Sequence, residues 1–433
     1  MTANTDHTAG TSASTMAALD HRVKQQKPYV LAINNGSSSI KFALYQKGDP
    51  PTRQLHGKVD RIGSRGTMLT VDDLERNQQD SRIIGDFEHR SAATFLIDWL
   101  DKQIGLNSIE AVGHRVVNGG AHYNEPLRVT GELLDALRRI STYAPEHLPS
   151  EIAVIDLFRE RVPGLPQVVC FDTAFHRAMP QVAKILPIPR RFQAQGVERY
   201  GFHGLSYSFL MEELARVAGA EAALGGVILS HLGNGASLAA VRGGKCIDTS
   251  MGFTPAAGVP MSTRSGDLDP GLAWYLSQTE HMTVQQFHQM VNQESGLLGI
   301  SETSSDLRDL LGREATDIRA AEAVALFCYQ IKKWIGAFAA ALGGLDSLMF
   351  AGGIGENAPA VRARICDGLE FLGIEIEEQR NVANAGVISA ETSRVVVRVM
   401  HTDEEVMIAK SVCRVLGLPI EKENEHGHEN EKA

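Results

Sequence analysis

Short apolar runs recur along the chain at Tyr29 to Ile33, Gln167 to Phe171, Gly226 to Ser230, Ser347 to Ala351 and Val395 to Met400, with amphipathic stretches between several of them. Strand-length runs alternating with helical periodicity predict an α/β fold. The clearest helix is predicted over Ile318 to Leu342, dense in Ala, Leu and Ile, with Gly343-Gly344 as its C-terminal stop. No apolar run approaches the roughly 20 residues that a membrane span needs. Even Trp334 to Leu342 is short and is bounded by Lys332, Lys333 and Asp346.

Two distant segments share one pattern: an apolar strand, a tight Asn/Gly/Ser turn and a second apolar strand. The first runs from Tyr29 to Ile33 through Asn34-Asn35-Gly36-Ser37-Ser38-Ser39 and out along Lys41 to Tyr45. The second runs from Val227 to Leu232 through Gly233-Asn234-Gly235-Ala236-Ser237 and out along Leu238 to Val241. The repetition implies a duplicated domain. A turn without Cβ atoms lets backbone N–H groups close on phosphate, so two facing hairpins would make a clamp. The alternative is that each is an ordinary hairpin turn.

Composition narrows the classes. A chain of 433 residues, 43% hydrophobic, can bury a full core and suggests two or three domains. A formal charge of -10 argues against broad nucleic-acid affinity, since phosphate backbones are gripped by clustered Lys and Arg. The five cysteines, Cys170, Cys246, Cys328, Cys366 and Cys413, are scattered without CxxC spacing. They suggest neither a disulfide framework nor a zinc site and fit a reducing cytoplasm. Residues 1–27, rich in Thr, Ala and Ser, lack the apolar core of a secretory signal and read as a disordered extension. The charged tail from Glu421 onward reads as solvated, His426 and His428 included.

Phosphoryl transfer needs phosphate-cradling donors, a metal and cations over the transferring group, and the chain offers candidates for each. Ser37, Ser39 and Lys41 follow the first turn, and Asn234 and Gly235 form the second. The run Phe350-Ala351-Gly352-Gly353-Ile354-Gly355-Glu356-Asn357 follows a strand and leads toward a helix, where nucleotide can lie against bare backbone. There is no Walker A motif and no dinucleotide fingerprint. Arg115 and Arg264 sit among glycines and small residues, a setting suited to bidentate capture of carboxylate or phosphate; a structural ion pair is the alternative. Asp172 ends a strand and could hold Mg²⁺ through water or orient the acceptor. Glu404 and Glu405 are a second carboxylate source, or simply the acidic first turn of a helix. His203, between glycines, and His147 are further candidates, although a lone histidine is more often packed or exposed than catalytic. A Ser/His/Asp hydrolase is disfavoured because no GxSxG elbow occurs.

Taken together, INNGSSSIKF, GHRVV, FDTAFH, RYGFHG, HLGNGAS, TRSGDLDP, SSDLRD, AGGIGEN and TDEE resemble, in order, the motifs of the acetate kinases. That family belongs to the superfamily joining acetate and sugar kinases to actin and the heat-shock chaperone ATPases. The resemblance spans about Pro28 to about Leu418. It implies two duplicated ribonuclease-H-like (actin-type ATPase) domains with a cleft between them. Domain I would comprise 28–176 and the C-terminal helix 405–418, and nucleotide-binding domain II would comprise 177–404, leaving 419–433 as a disordered tail. It implies a homodimer and reversible, Mg²⁺- or Mn²⁺-dependent transfer from ATP to acetate, giving acetyl phosphate and ADP. Propionate or another short carboxylate is the alternative acceptor, and a non-kinase ATPase switch the more distant one.

By the same resemblance Asn34 and Glu404 would serve the metal, with Ser37, Ser39 and Lys41 near phosphate and metal. Arg115 and Arg264 would bind the acceptor and stabilise the moving phosphoryl group, and Asp172 would assist metal and substrate activation. His203 and Asn234 would contact the transition state, with His147 near it, and His231, Gly233 and Gly235 beside the phosphates. Asp306, Leu307, Arg308 and the loop Gly353, Ile354, Gly355, Glu356, Asn357 would receive the nucleoside and its phosphates. Val117, Phe202 and Pro255 would wall the acceptor pocket. The sequence departs from the family at Asn118, where His is common, and at Glu146 and Leu148, where Leu and Asn are expected. A carboxylate at Glu146 would repel an acetate anion or turn away from it.

Overall fold

A computed structural model of the chain describes residues 28–36, 38–48 and 50–418. The expected disordered extension at 1–27, the tail at 419–433 and the candidate Ser37 lie outside the described residues.

Strands β1 (Tyr29–Asn35), β2 (Ser39–Gln46), β3 (Thr52–Asp60), β4 (Thr67–Asp73), β5 (Gln78–Gly85), β6 (Ile109–Val116), β7 (Leu127–Arg128) and β8 (Gln167–Phe171) form one sheet, in the order β5-β4-β3-β2-β1-β6-β8-β7. Strands β9 (Val227–Leu232), β10 (Ala236–Arg242), β11 (Lys245–Thr249), β12 (Ser347–Ala351) and β13 (Val396–Val399) form the other, in the order β11-β10-β9-β12-β13. The duplication is explicit in these pairings. β3-β2-β1-β6-β8 and β11-β10-β9-β12-β13 run in the same order, with antiparallel, antiparallel, parallel and parallel neighbours in each. Each repeated hairpin is the β1-β2 or β9-β10 pair of its sheet.

The central strands are apolar on both faces because both are covered. Val30 to Ile33 in β1, all of β8 and all of β12 are buried, which accounts for continuous rather than alternating runs. Helix Ile318–Leu342 covers the second sheet with a stripe through Ala320, Val324, Phe327, Ile331, Ile335 and Phe338, three and four residues apart. It is capped by Asp317 and ends on Gly343, whose φ of 68° is left-handed.

Helix Glu404–Leu416 returns to the first sheet and lays Ile408 and Val412 on β6. A Cβ at Gly113 would stand 2.3 Å from Ile408 and 2.6 Å from Val412, so glycine is what lets this helix seat. Seating it brings the acidic N-terminus of the helix to the tip of β1. Helix Gly204–Ala218 packs against both that helix and β9, joining the two sheets.

Candidate functional site

A cleft of about 950 Å³ lies between the sheets, lined by the β1-β2 turn, the β9-β10 turn, the loops bearing Arg264 and Asp306, and the helix after β12. Of the residues singled out from sequence, it gathers Asn34, Ser39, Lys41, Arg115, Val117, His147, Phe202, His203, His231, Gly233, Asn234, Gly235, Pro255 and Arg264. It also gathers Asp306, Leu307, Arg308, Gly353, Ile354, Glu356, Asn357 and Glu404. The two hairpins therefore face one space. Asp172 and Gly355 do not line it: Asp172 is buried behind Arg115, and Gly355 packs against Phe350.

Arg115 is on strand β6, and the structural ion pair weighed against a ligand-binding role is present. Its Nε and Nη2 donate to Asp172 Oδ2 at 3.0 and 2.5 Å, and its Nη1 donates to Glu151 Oε1 at 3.2 Å and to the Asn35 carbonyl at 3.0 Å. Burial works against the guanidinium charge, but Asp172 and Glu151 outweigh it and hold Arg115 protonated. Burial pushes both carboxyls up against the pull of Arg115. Asp172 Oδ1 is buried with no hydrogen-bond partner among the described residues.

Arg264 differs. It also lines the cleft, yet among the described residues its acceptors are only the Pro255 carbonyl at 3.4 Å and the Met261 sulfur at 3.8 Å. Burial lowers its pKa, Glu146 opposes that, and Arg115 adds to it. A cation held in a cleft without a carboxylate to neutralise it is poised for an anionic ligand. Its loop is pinned by Thr263 Oγ1 donating to the Asn292 carbonyl and Ser265 N–H donating to the Val291 carbonyl, both at 2.9 Å.

Three imidazoles face the same space, and all are neutral. Burial lowers His147 to about 3, and it takes His203 well below the usual value, helped by neighbouring His231, Arg115 and Arg264. His231 is lowered by burial as well, and its ring stacks on His203 at 4.3 Å.

At the tip of β1, Asn34 Nδ2 donates to Glu404 Oε2 at 2.7 Å and to Glu405 Oε1 at 3.0 Å. Asp403 caps the helix by accepting from Val406 N–H, so Glu404 and Glu405 are both its acidic first turn and part of the cleft. Burial opposes ionisation of Glu404, but Lys41, His231 and Arg115 bring it below the ordinary carboxylate range; burial pushes Glu405 up. Among the described residues no cluster of three or more His, Cys, Asp or Glu could hold a metal.

On the far side, the glycine-rich run is itself helical, Gly352–Asn357, rather than a loop leading into one. Glu356 accepts from Gly352 N–H at 2.9 Å and meets His401 Nδ1 at 2.9 Å, and thus braces the helix it belongs to. Fully buried Arg362 donates to the Gly355 and Glu356 carbonyls at 2.8 and 3.1 Å. It satisfies carbonyls that the helix end leaves open. Asp306 caps helix Leu307–Arg313 and pairs with exposed Arg308 at 2.5 Å.

The departures resolve simply. Glu146 does not line the cleft; it turns to His288 Nε2 at 3.6 Å and Gln293 Nε2 at 3.4 Å. Asn118 is fully buried and accepts from Gly120 N–H at 2.7 Å. Sequence reasoning missed Glu151, Lys58, Thr402 and His401. A single Glu in a first helical turn, or a Lys along a strand, carries no local signal of what it will face.

The Acetokinase family profile matches residues 29–410. A propionate kinase of Citrobacter rodentium is 44% identical over 393 residues, covering 89% of this chain and 96% of that protein. An acetate kinase of Rhodopseudomonas palustris is 42% identical over 391 residues, covering 89% and 98%. Among solved structures, Porphyromonas gingivalis acetate kinase superposes with a TM-score of 0.80 at 35% identity, covering 90% of this chain and 100% of that one.

Proposed function

The chain belongs to the acetokinase family, and from that premise we propose that its cleft transfers the γ-phosphoryl group of ATP to acetate, giving acetyl phosphate and ADP, reversibly and in line. The enzyme is a phosphotransferase with a carboxylate as acceptor. The observation that carries the reading is the pair of cations in one cleft: Arg115, anchored by Asp172 and Glu151, and Arg264, bonded to no carboxylate among the described residues. A carboxylate oxygen attacks the γ-phosphorus as the bond to the β-phosphate oxygen breaks, and the proton count does not change. No general base is needed, which suits three neutral imidazoles.

Arg264 and Arg115 hold the acceptor carboxylate and the charge that spreads onto the equatorial oxygens. Val117, Phe202 and Pro255 pack around the methyl group. Asp172, buried behind Arg115, keeps its guanidinium fork in register. Lys41, Ser39, Asn234 and Gly235 take the phosphates, and Asp306 to Arg308 with Gly353 to Asn357 take the nucleoside. Asn34 and Glu404, an amide and an ionised carboxylate at one point, have the hard-oxygen character that Mg²⁺ or Mn²⁺ selects. When bound, the ion would neutralise the β- and γ-phosphates.

Propionate is the second reading, favoured by the propionate kinase at 44% identity. Trp274 and Tyr275, 72% and 60% exposed on helix Gly271–Thr279, offer an apolar face that a second copy of the chain would cover in a homodimer. A sedimentation measurement giving only monomer would remove that element. No described helix is long and apolar enough to cross a membrane, and all five cysteines are free and buried, which suits a cytoplasmic enzyme. The deciding experiment incubates purified protein, MgATP and hydroxylamine with acetate, propionate and butyrate. Acyl hydroxamate from acetate is expected, and none from any of the three would end the reading.

A further inference from the structure

His203 follows Phe202 at the entrance to helix Gly204–Ala218 with a left-handed φ of 58°, which a non-glycine residue adopts only when its surroundings hold it there. Its Nδ1 lies 2.8 Å from Ser237 Oγ, and Ser237 Oγ lies 2.5 Å from Tyr207 Oη. Ser237 and Tyr207 are fully buried, and among the described residues Nε2 has no hydrogen-bond partner. The position a Cβ would take on Gly235 lies 3.3 Å from His203 Nε2 and 3.5 Å from Arg264 Nη1. Nε2 and a guanidinium nitrogen thus converge on one spot at the cleft wall.

Counting donors and acceptors fixes the direction of the chain. Tyr207 carries one hydroxyl proton, and its only side-chain hydrogen-bond partner among the described residues is Ser237. If Ser237 donated to Tyr207, the phenol proton would be buried without an acceptor and its desolvation would go uncompensated. With Tyr207 donating to Ser237, the serine proton is free to go to His203 Nδ1, and the phenol, the serine hydroxyl and Nδ1 are all satisfied. Nδ1 is then the acceptor, and the ring proton must be on Nε2.

We propose that Tyr207 and Ser237 form a one-way hydrogen-bond relay that fixes His203 as the Nε2–H tautomer, so that its imidazole donates into the cleft beside Arg264. Tyr207 and Ser237 are positioning residues for the transfer reaction, and this rests on the phosphoryl-transfer reading above. A donor set in advance at that spot meets an equatorial phosphoryl oxygen without having to choose a tautomer as charge develops.

The test is nitrogen NMR of the full-length enzyme labelled with ring-¹⁵N histidine, with His203→Gln identifying the signal. Wild-type His203 is expected to show an unprotonated Nδ1 and a protonated Nε2 at neutral pH. Ser237→Ala should mix the tautomers and lower kcat by roughly tenfold, the worth of one hydrogen bond, with the acceptor KM within about twofold. Tyr207→Phe leaves Ser237 a proton to give, so it should keep the tautomer and lose less. A proton on Nδ1 in the wild type overturns the proposal whether or not Ser237→Ala folds. An unchanged tautomer in Ser237→Ala, or equal losses in the two variants, also overturns it. Because the wild-type spectrum is read without turnover, its failure is distinct from failure of the hydroxamate assay.

Discussion

The side-chain amide of Asn34 donates to the carboxylate of Glu404 at 2.7 Å across 370 positions of sequence. The contact exists because the C-terminal helix crosses back to the first sheet and ends its acidic turn at the tip of β1. Glu404 is the more readily ionised of the Glu404–Glu405 pair, since Lys41, His231 and Arg115 outweigh its burial while burial pushes Glu405 up. Glu404→Gln keeps the shape and removes the charge. The Mg²⁺ concentration for half-maximal rate should rise about tenfold or more, and Glu405→Gln should change it less. Rate-against-Mg²⁺ and rate-against-Mn²⁺ curves check this; a larger effect at Glu405 would move the metal role to that residue.

The two arginines separate stability from activity. Arg115→Ala strands Asp172 and Glu151 as buried carboxyls, and breaking such a pair costs about 3–5 kcal/mol. Arg264→Ala strands no carboxylate, and its stability should stay within about 1 kcal/mol of the parent. Its hydroxamate yield should nonetheless fall by roughly 10²–10³, with ATP affinity little changed. Urea unfolding and nucleotide titration, run on both variants, check the contrast. If Arg264→Ala lost nucleotide binding as far as acyl transfer, the assignment to the acceptor would be wrong.

That contrast also marks what the sequence could tell. Strands Gln167 to Phe171 and Ser347 to Ala351 and helix Ile318 to Leu342 have the limits expected from their patterns, because apolar runs bounded by turn residues report burial directly. The repeated hairpins were legible for the same reason. Strand β9 has the limits the hairpin pattern gives it, Val227–Leu232, which puts His231 in the strand and on the cleft. Glu151 was invisible: its partners are 36 positions upstream in Arg115 and 34 in Val117, and nothing local distinguishes it from a solvated helix residue. Asp172 is singled out by its place at a strand end, but its burial behind Arg115 is not legible there, because a strand end looks alike whether it faces ligand or a guanidinium.

Glu146 shows the same limit from the other side. A carboxylate next to His147 would either repel an anionic acceptor or turn away from it, and the side chain turns away, spanning to His288 and Gln293. Glu146→Leu should therefore leave the ratio of kcat/KM for acetate and propionate within about threefold of the parent. One methylene in an apolar pocket is worth about 10–200-fold, so a change of that size would put Glu146 in the pocket after all. Parallel kinetics with the two acids decide it.

Acid stability can be argued from His114, one residue before Arg115 on β6 and therefore on the opposite face. Its Nε2 is 2.7 Å from Gln167 Oε1 in a buried site, and burial lowers it from 6.5 to about 4 against that hydrogen bond. Between those two values the unfolded chain binds a proton that the folded chain refuses, so stability falls as pH falls, and above the upper value the residue adds no slope. The loss at the lower value is roughly 3 kcal/mol. His114→Gln can reproduce the Nε2 contact and cannot titrate. It should start about 1–2 kcal/mol less stable near neutral pH, and its urea midpoint should fall less steeply on acidification, so that the two curves converge. Parallel curves would mean that folded His114 already accepts the proton, and that its ring is not sealed from water.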